Sequence, residues 1–278
     1  MREFGFSPNV GQELLSVSFN SKVERYETEV YAVLHFPVII KSRVQRSTHE
    51  IDLIIGKNYL ITTRYENITS MQSFAKAFEV NAVIGPASTH MHGGHLFAAI
   101  VSNLYRALVL ESDALTQKLE YIEEHIFDGH EKKLVVDISL AGREIYDLTI
   151  ALTPHREMLS SLEAPLTRMF GHEFGYYMRG VMSEYERLQN TVASLRESMN
   201  ELRETNNSML NAKQNEVMKT FSVLAFIFVP VSLIMTLFQM QLPGTPFHET
   251  GLNFWVALGG MLFISFLFFL YFKRKGWL

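Results

Sequence analysis

Three histidines stand close together in the segment Ser88-Thr89-His90-Met91-His92-Gly93-Gly94-His95. Neutral imidazoles at such spacing, His90, His92 and His95, can bind Zn2+, Ni2+ or Cu2+. A metal site needs three or four placed ligands, and no fourth is identifiable in the sequence. The segment also reads as a polar helix start with Ser88 or Thr89 as its N-cap, and that reading is preferred. Glu120, Glu123, Glu124 and His125 form a second cluster, suited to a hydrated divalent cation bridging two subunits. A solvated helical face is the commoner meaning of such a run. A third group has a different character. Steps of three and four residues from Asn215 reach Met218, Ser222, Ala225, Val229, Ser232, Thr236 and Gln239. This is a heptad seam, small or polar at most positions, inside an otherwise bulky apolar stretch. Polar positions in a membrane face a bundle interior or a water-filled cavity, and small ones let helices approach closely. Spacing alone leaves pore lining and close packing equally open. The chain has no cysteine, which excludes disulfides, thiolate zinc sites and a cysteine nucleophile. It has no Gly-rich phosphate loop, no nucleophile elbow and no HExxH, so nothing supports an enzyme.

The elements that position these residues follow from composition. Of 278 residues 47% are apolar and 19% are charged. The charged share is below the usual value of about 25%. The deficit is concentrated: no Lys, Arg, Asp or Glu occurs between Lys219 and Glu249, and none between Glu249 and Lys273. That rules out a wholly soluble or a disordered chain as the default. The net charge of −4 provides no basic footprint, so nucleic acid is not an expected partner. The N-terminus lacks the apolar core of a targeting signal, so insertion is expected from the C-terminal end. Residues 220–242 and 252–272 are each long enough to cross the hydrocarbon core as helices. Between them, residues 243–251 form a short loop rich in Pro and Gly, with Glu249 as its one acid. Lys213 and Lys219 precede the first span and Lys273-Arg274-Lys275 follow the second, in the tail 273–278. The positive-inside rule then places both termini in the cytoplasm. Trp255, Tyr271 and Trp277 suit the membrane interfaces. Pro230 should bend the first span.

Ahead of the membrane, residues 176–219 read as a long stalk helix, with Leu188, Val192, Leu195, Met199 and Leu202 as an apolar stripe. This stripe and the seam lie on different faces, so the stripe is expected to pack on the chain's own soluble domain or on a neighbour. Asn206 continues it. Residues 1–175 read as an α/β domain. Glu29–Phe36, Glu50–Ile55 and Tyr59–Thr63 are strand-like, with a turn at Gly56-Lys57-Asn58. Helices are expected over residues 70–78, 96–127, 133–152 and 153–166.

These features together resemble the CorA family of divalent-cation transporters. The resemblance rests on Asn215-Glu216-Val217-Met218-Lys219 before a span containing Pro230, a short outward loop, a second span, and the ending YFKRKGWL. The segment Asp52–Glu66 (DLIIGKNYLITTRYE) is also similar to that family's cytoplasmic domain. The resemblance implies a funnel-shaped homopentamer in the cell (inner) membrane, with no bound cofactor. Divalent cations, Mg2+ above all and Co2+, Ni2+ or Zn2+ among relatives, would be its substrate and possible regulator. The family's pore-lining positions fall on Asn215, Met218, Val229, Ser232 and Thr236, and Met218 represents its apolar gate. The family signature Gly-Met-Asn is replaced here by Gln239-Met240-Gln241 at the outer mouth. In the family that Asn holds the hydrated ion through its waters, which Mg2+ sheds reluctantly. The changed triplet motivates an alternative: a non-transporting relative that senses metal or serves a signalling partner.

Overall fold

The structure is a computed structural model. It describes residues 7–18, 20–37, 48–65, 69–84, 92–128, 131–239 and 252–276. The elements run α1 (Pro8–Glu13), β1 (Lys22–Arg25), β2 (Glu29–Pro37), β3 (Thr48–Gly56), β4 (Leu60–Arg64), α2 (Thr69–Ile84), α3 (Gly93–His125), α4 (Glu131–Leu152), α5 (His155–Phe170), α6 (Phe174–Gln239) and α7 (Leu252–Arg274). The chain divides into two compact units, residues 1–204 and 205–278.

In the first unit the four strands form an antiparallel sheet in the order β1-β2-β3-β4. Strand alternation sorts its side chains between two faces. Val30, Ala32, Leu34 and Phe36 of β2 join Ile51, Leu53 and Ile55 of β3 in the main core, together with buried residues of α3, α4, α5 and α6. Tyr31, Val33 and Ile54 point the other way and pack with Val10 of α1, a smaller second core. The sheet is therefore buried on both faces near its centre. β1 and α1 were not expected from the sequence. β1 offers only Val23 as an apolar residue, and α1 is six residues long.

The helical stripe on α6 is longer than its sequence reading. Phe174, Met178, Val181, Tyr185, Leu188, Val192, Leu195, Met199 and Leu202 alternate four and three residues apart, and all are buried in the main core. The expectation that 188–202 packs on the chain's own soluble domain is met. Each such apolar side chain contributes about 1.5–3 kcal/mol by leaving water, which is why the first part of α6 is fixed to the domain. Asn206 takes the next step of the same rhythm and is also buried, with its Oδ1 lacking a hydrogen-bond partner.

The helix start near the histidines differs from expectation. The cap of α3 is His92, with extended backbone, rather than Ser88 or Thr89. The reason is the close approach that follows. A Cβ on Gly93 would collide with the carbonyl oxygens of Gly56 and Tyr59, and the Gly93 amide donates to the Lys57 carbonyl at 3.3 Å. The first turn of α3 must therefore lie against the β3–β4 turn, where only glycine fits.

Candidate ion-pathway helix and metal-binding residues

The second unit contains the later part of α6 and α7. Both are apolar for most of their length, and α6 runs through Pro230 as one helix to Gln239. Among the described residues α3 and α6 are long and apolar enough to cross a membrane. Half of the apolar stretch of α3 is buried, and its buried side chains belong to the core of the first unit, which accounts for its composition. Only 6% of the α6 stretch is buried. α7 carries no charge before Lys273 and Arg274 in its last turn.

The seam residues occupy one side of α6. Asn215, Met218, Ala225, Val229, Ser232 and Thr236 are exposed, and Ser222 is half-buried. Val223 is buried, and Ile227, Pro230 and Ile234 line up with it and are half-buried. At about 100° per residue the seam lies close to opposite this second row. On the flank of the second row, the Phe226 ring meets the Phe272 ring of α7 at 5.9 Å. The small and polar side of α6 is left uncovered by the chain, as are bulky neighbours off the seam such as Phe221, Leu224, Phe228 and Leu233.

The hydroxyls on that side have a shared geometry. Ser222 Oγ donates to the Met218 carbonyl at 2.8 Å, Ser232 Oγ to the Val229 carbonyl at 2.9 Å, and Thr236 Oγ1 to the Ser232 carbonyl at 2.8 Å. Each hydroxyl spends its one proton on its own helix, which leaves its oxygen as an acceptor. Hydroxyl oxygens left as acceptors suit a hydrated cation, whose waters present hydrogens outward. Just ahead of the seam's hydroxyls on the same helix, Lys219 Nζ donates to the Gly276 carbonyl at 2.8 Å, just past the end of α7.

The triplet Gln239-Met240-Gln241 is reached only by the backbone of Gln239, the last residue of α6. Met240, Gln241, Glu249 and His90 lie outside the described residues. His92 and His95 are brought together, but by stacking. Their rings are 3.8 Å apart, and the His92 ring also lies 4.2 Å from that of Phe170 at 7°. Tyr177 meets His95 edge-on at 4.6 Å. Burial, then the neighbouring His95, hold the His92 imidazole below its ordinary pKa. In the second cluster, His125 Nδ1 lies 2.8 Å from the Tyr121 carbonyl, and Glu120, Glu123 and Glu124 are exposed. Among the described residues no group of three or more His, Asp or Glu is placed to hold a metal.

Two arrangements of titratable groups were not anticipated. His155, fully buried, bridges the Tyr105 hydroxyl (2.8 Å) and the His35 carbonyl (2.9 Å). Glu50 and Asp52 are buried on the α1 side of the sheet. The only sequence signal was two acids at strand period, sharing a face with Ile54.

A long helix that ends in an apolar stretch with a polar seam is the arrangement an ion-transporting membrane protein needs. The chain belongs to the family of CorA-like Mg2+ transporter proteins, whose sequence pattern matches residues 1–274. It is 25% identical over 275 residues to the cobalt/magnesium transport protein CorA of Thermotoga maritima, covering 99% of this chain and 78% of that one. It is 33% identical to the magnesium transport protein CorA of Haemophilus ducreyi over 100 residues, 36% of this chain and 32% of that one. Among solved structures, the complete CorA magnesium transporter from Methanocaldococcus jannaschii superposes with a TM-score of 0.83 at 20% identity, covering 100% of this chain and 86% of that one. The ZntB cytoplasmic domain from Vibrio parahaemolyticus gives 0.62 at 11% identity, over 76% of this chain and 82% of that one. These likenesses establish the fold.

Proposed function

We propose that this protein is a divalent-cation transporter, moving Mg2+ or a related ion down its electrochemical gradient without a bound cofactor. It acts as a homopentamer in the inner membrane, with residues 220–242 and 252–272 as spans and both termini in the cytoplasm. Copies of α6 surround a common axis and turn Asn215, Met218, Ser222, Ala225, Val229, Ser232 and Thr236 toward it. Met218 narrows the cytoplasmic end, and Gln239, Met240 and Gln241 form the outer mouth near Glu249. An inward-negative potential favours entry of a 2+ ion by about 4.6 kcal/mol per 100 mV. The family match and the Thermotoga maritima relative support the cargo. The observation that carries the reading is the uncovered side of α6, where three hydroxyls keep only acceptor capacity. They would hold the ion by its water shell, which Mg2+ retains.

Purified protein in liposomes, assayed for Mg2+, Co2+, Ni2+ and Zn2+ entry, tests this directly. Flux of at least one ion is expected. A pentamer that passes none of them overturns the proposal. It would favour the sensor reading, which the Gln-Met-Gln triplet motivates.

A further inference from the structure

The α1 side of the sheet holds two acids away from water. Glu50 is 5% exposed and Asp52 1%, and they are two residues apart on β3, so they share a face. Asp52 lies close enough for its charge to raise the Glu50 carboxyl. Two ionised carboxylates on one buried face repel each other, and a proton on one of them relieves that repulsion. The surroundings offer little other compensation. Asp52 accepts from the Thr63 hydroxyl of β4 at 2.8 Å and from the Tyr31 hydroxyl of β2 at 3.4 Å. Glu50 Oε2 accepts from the Ser18 amide at 2.8 Å, while Oε1 has no conventional donor. His35 of β2 places Nε2 3.6 Å from Glu50 Oε2, but that nitrogen is 2.9 Å from the Ser18 carbonyl. Tyr65 also faces the pair, and its phenol is raised first by burial and then by these two acids. Lys22 of β1 is engaged by Glu13 of α1 and by Glu24.

We propose that Glu50 and Asp52 form a proton-binding site that fastens the segment 14–18, which follows α1, onto the sheet, and that losing the proton loosens it. The segment is tied at three points. The Tyr65 hydroxyl donates to the Leu14 carbonyl at 3.2 Å, and Ser18 bonds through its amide to Glu50 and through its carbonyl to His35. The Ser18 amide tie depends on a Glu50 that stays inside. With the proton gone, two like charges share a buried site, and the relief available to Glu50 is to turn outward and release Ser18. Burial, with Asp52 beside it, pushes the Glu50 carboxyl up to about 7, so the change falls near neutral pH. The fastened state then binds the proton up to about pH 7, whereas a released Glu50 has an ordinary carboxyl value. Fastening is therefore strongest in acid and weakens as pH rises.

Hydrogen exchange of residues 8–18 in the full chain, corrected for the intrinsic rate at each pH, reads this out. Protection is expected to fall about tenfold between pH 6 and pH 8, because the tenfold change per pH unit applies only below the Glu50 value of about 7 and levels off above it. Glu50→Gln keeps an acceptor for Ser18 and donates its amide to Asp52, so its segment should stay protected at both pH values. Asp52→Asn removes the like charge that raises the Glu50 carboxyl, so the transition should shrink and move to lower pH, with the segment still held at pH 8. Protection in the wild type that does not change between pH 6 and pH 8 overturns the proposal. A transition that survives in Glu50→Gln overturns it as well, because His35 would then be the sensor. A transition unmoved by Asp52→Asn overturns the part given to Asp52, because its charge would then not act on Glu50.

Discussion

His155 gives the sharpest quantitative prediction. The His35 carbonyl at 2.9 Å can only accept, so Nε2 carries the hydrogen and Nδ1 accepts from the Tyr105 hydroxyl at 2.8 Å. Phe36 lies 5.0 Å away, edge-on, and no water reaches the ring. A second proton would place a charge in this apolar setting, and burial holds the pKa down from 6.5 to about 4. The unfolded chain takes that proton near pH 6.5, whereas the folded chain refuses it until about pH 4. Below pH 6.5 the unfolded state therefore binds more protons, and stability falls as pH falls through this window. The full gap is worth about 3.4 kcal/mol, and about 2.4 kcal/mol of it is lost between pH 7 and pH 4.5. The comparison is His155→Gln, whose amide is neutral throughout. At pH 7 the variant should be less stable by about 1–3 kcal/mol, through imperfectly replaced buried hydrogen bonds. At pH 4.5 the difference should narrow by about 2.4 kcal/mol, leaving the two proteins nearly matched. Denaturant unfolding of the full chain in micelles at the two pH values measures this. Glu50 drives stability in the opposite direction with pH, but it is common to both proteins and cancels in the difference. An equal gap at pH 7 and pH 4.5 would refute the reasoning.

Other predictions concern the seam, the outer mouth and two packing positions. Asn215→Leu and Ser232→Leu should each lower cation flux in liposomes, whereas Leu224→Ile, off the seam, should not; equal flux in all three removes the seam from the mechanism. Restoring Gly-Met-Asn at Gln239-Met240-Gln241 should raise Mg2+ entry, and an unchanged rate counts against the role given to that triplet. Gly93→Ala should cost about 1–3 kcal/mol by forcing α3 away from the β3–β4 turn, read as a lowered melting temperature. Asn206→Leu should stabilise the chain by about 1 kcal/mol or more, because the buried amide oxygen lacks a donor; a lower melting temperature would show that the amide is satisfied.

What the sequence revealed tracks how local the cause was. β2, β3 and β4 were legible because alternating and β-branched runs reflect a strand buried on its own terms. The α6 stripe was legible because its spacing repeats over many turns, although Phe174 to Tyr185 merged with polar neighbours and were not read as part of it. β1 pairs Lys22, Val23, Glu24 and Arg25 with β2, and nothing in four residues with one apolar member announces that. The cap of α3 was misplaced because the deciding contact is with Gly56 and Tyr59, far away in the chain. His155 follows Pro154 and precedes Arg156, a neighbourhood that reads as surface, and its burial comes from β2, α3 and α6 meeting over it. The burial of Glu50 and Asp52 was not legible because α1, which covers their side of the sheet, carried no signal of its own.

The seam shows where pattern and geometry add to each other. Its spacing could mean packing or a pore, since small residues serve both. Close helix packing would use Ala225 and Ser222 to bring a backbone near, and the hydroxyl orientation would then matter little. A hydrated cation makes a different demand. Its waters turn hydrogens outward, and an outward-pointing O–H would repel them. On α6 each of the three seam hydroxyls instead folds its hydrogen back onto a carbonyl three or four residues earlier and keeps a lone pair free. Valine at position 232 would hold nearly the same volume, with loss of that acceptor. If the seam only packs helices, Ser232→Val is mild in both stability and flux. If it reads a water shell, flux falls while the melting temperature holds, and that split separates the two uses of one stripe of residues.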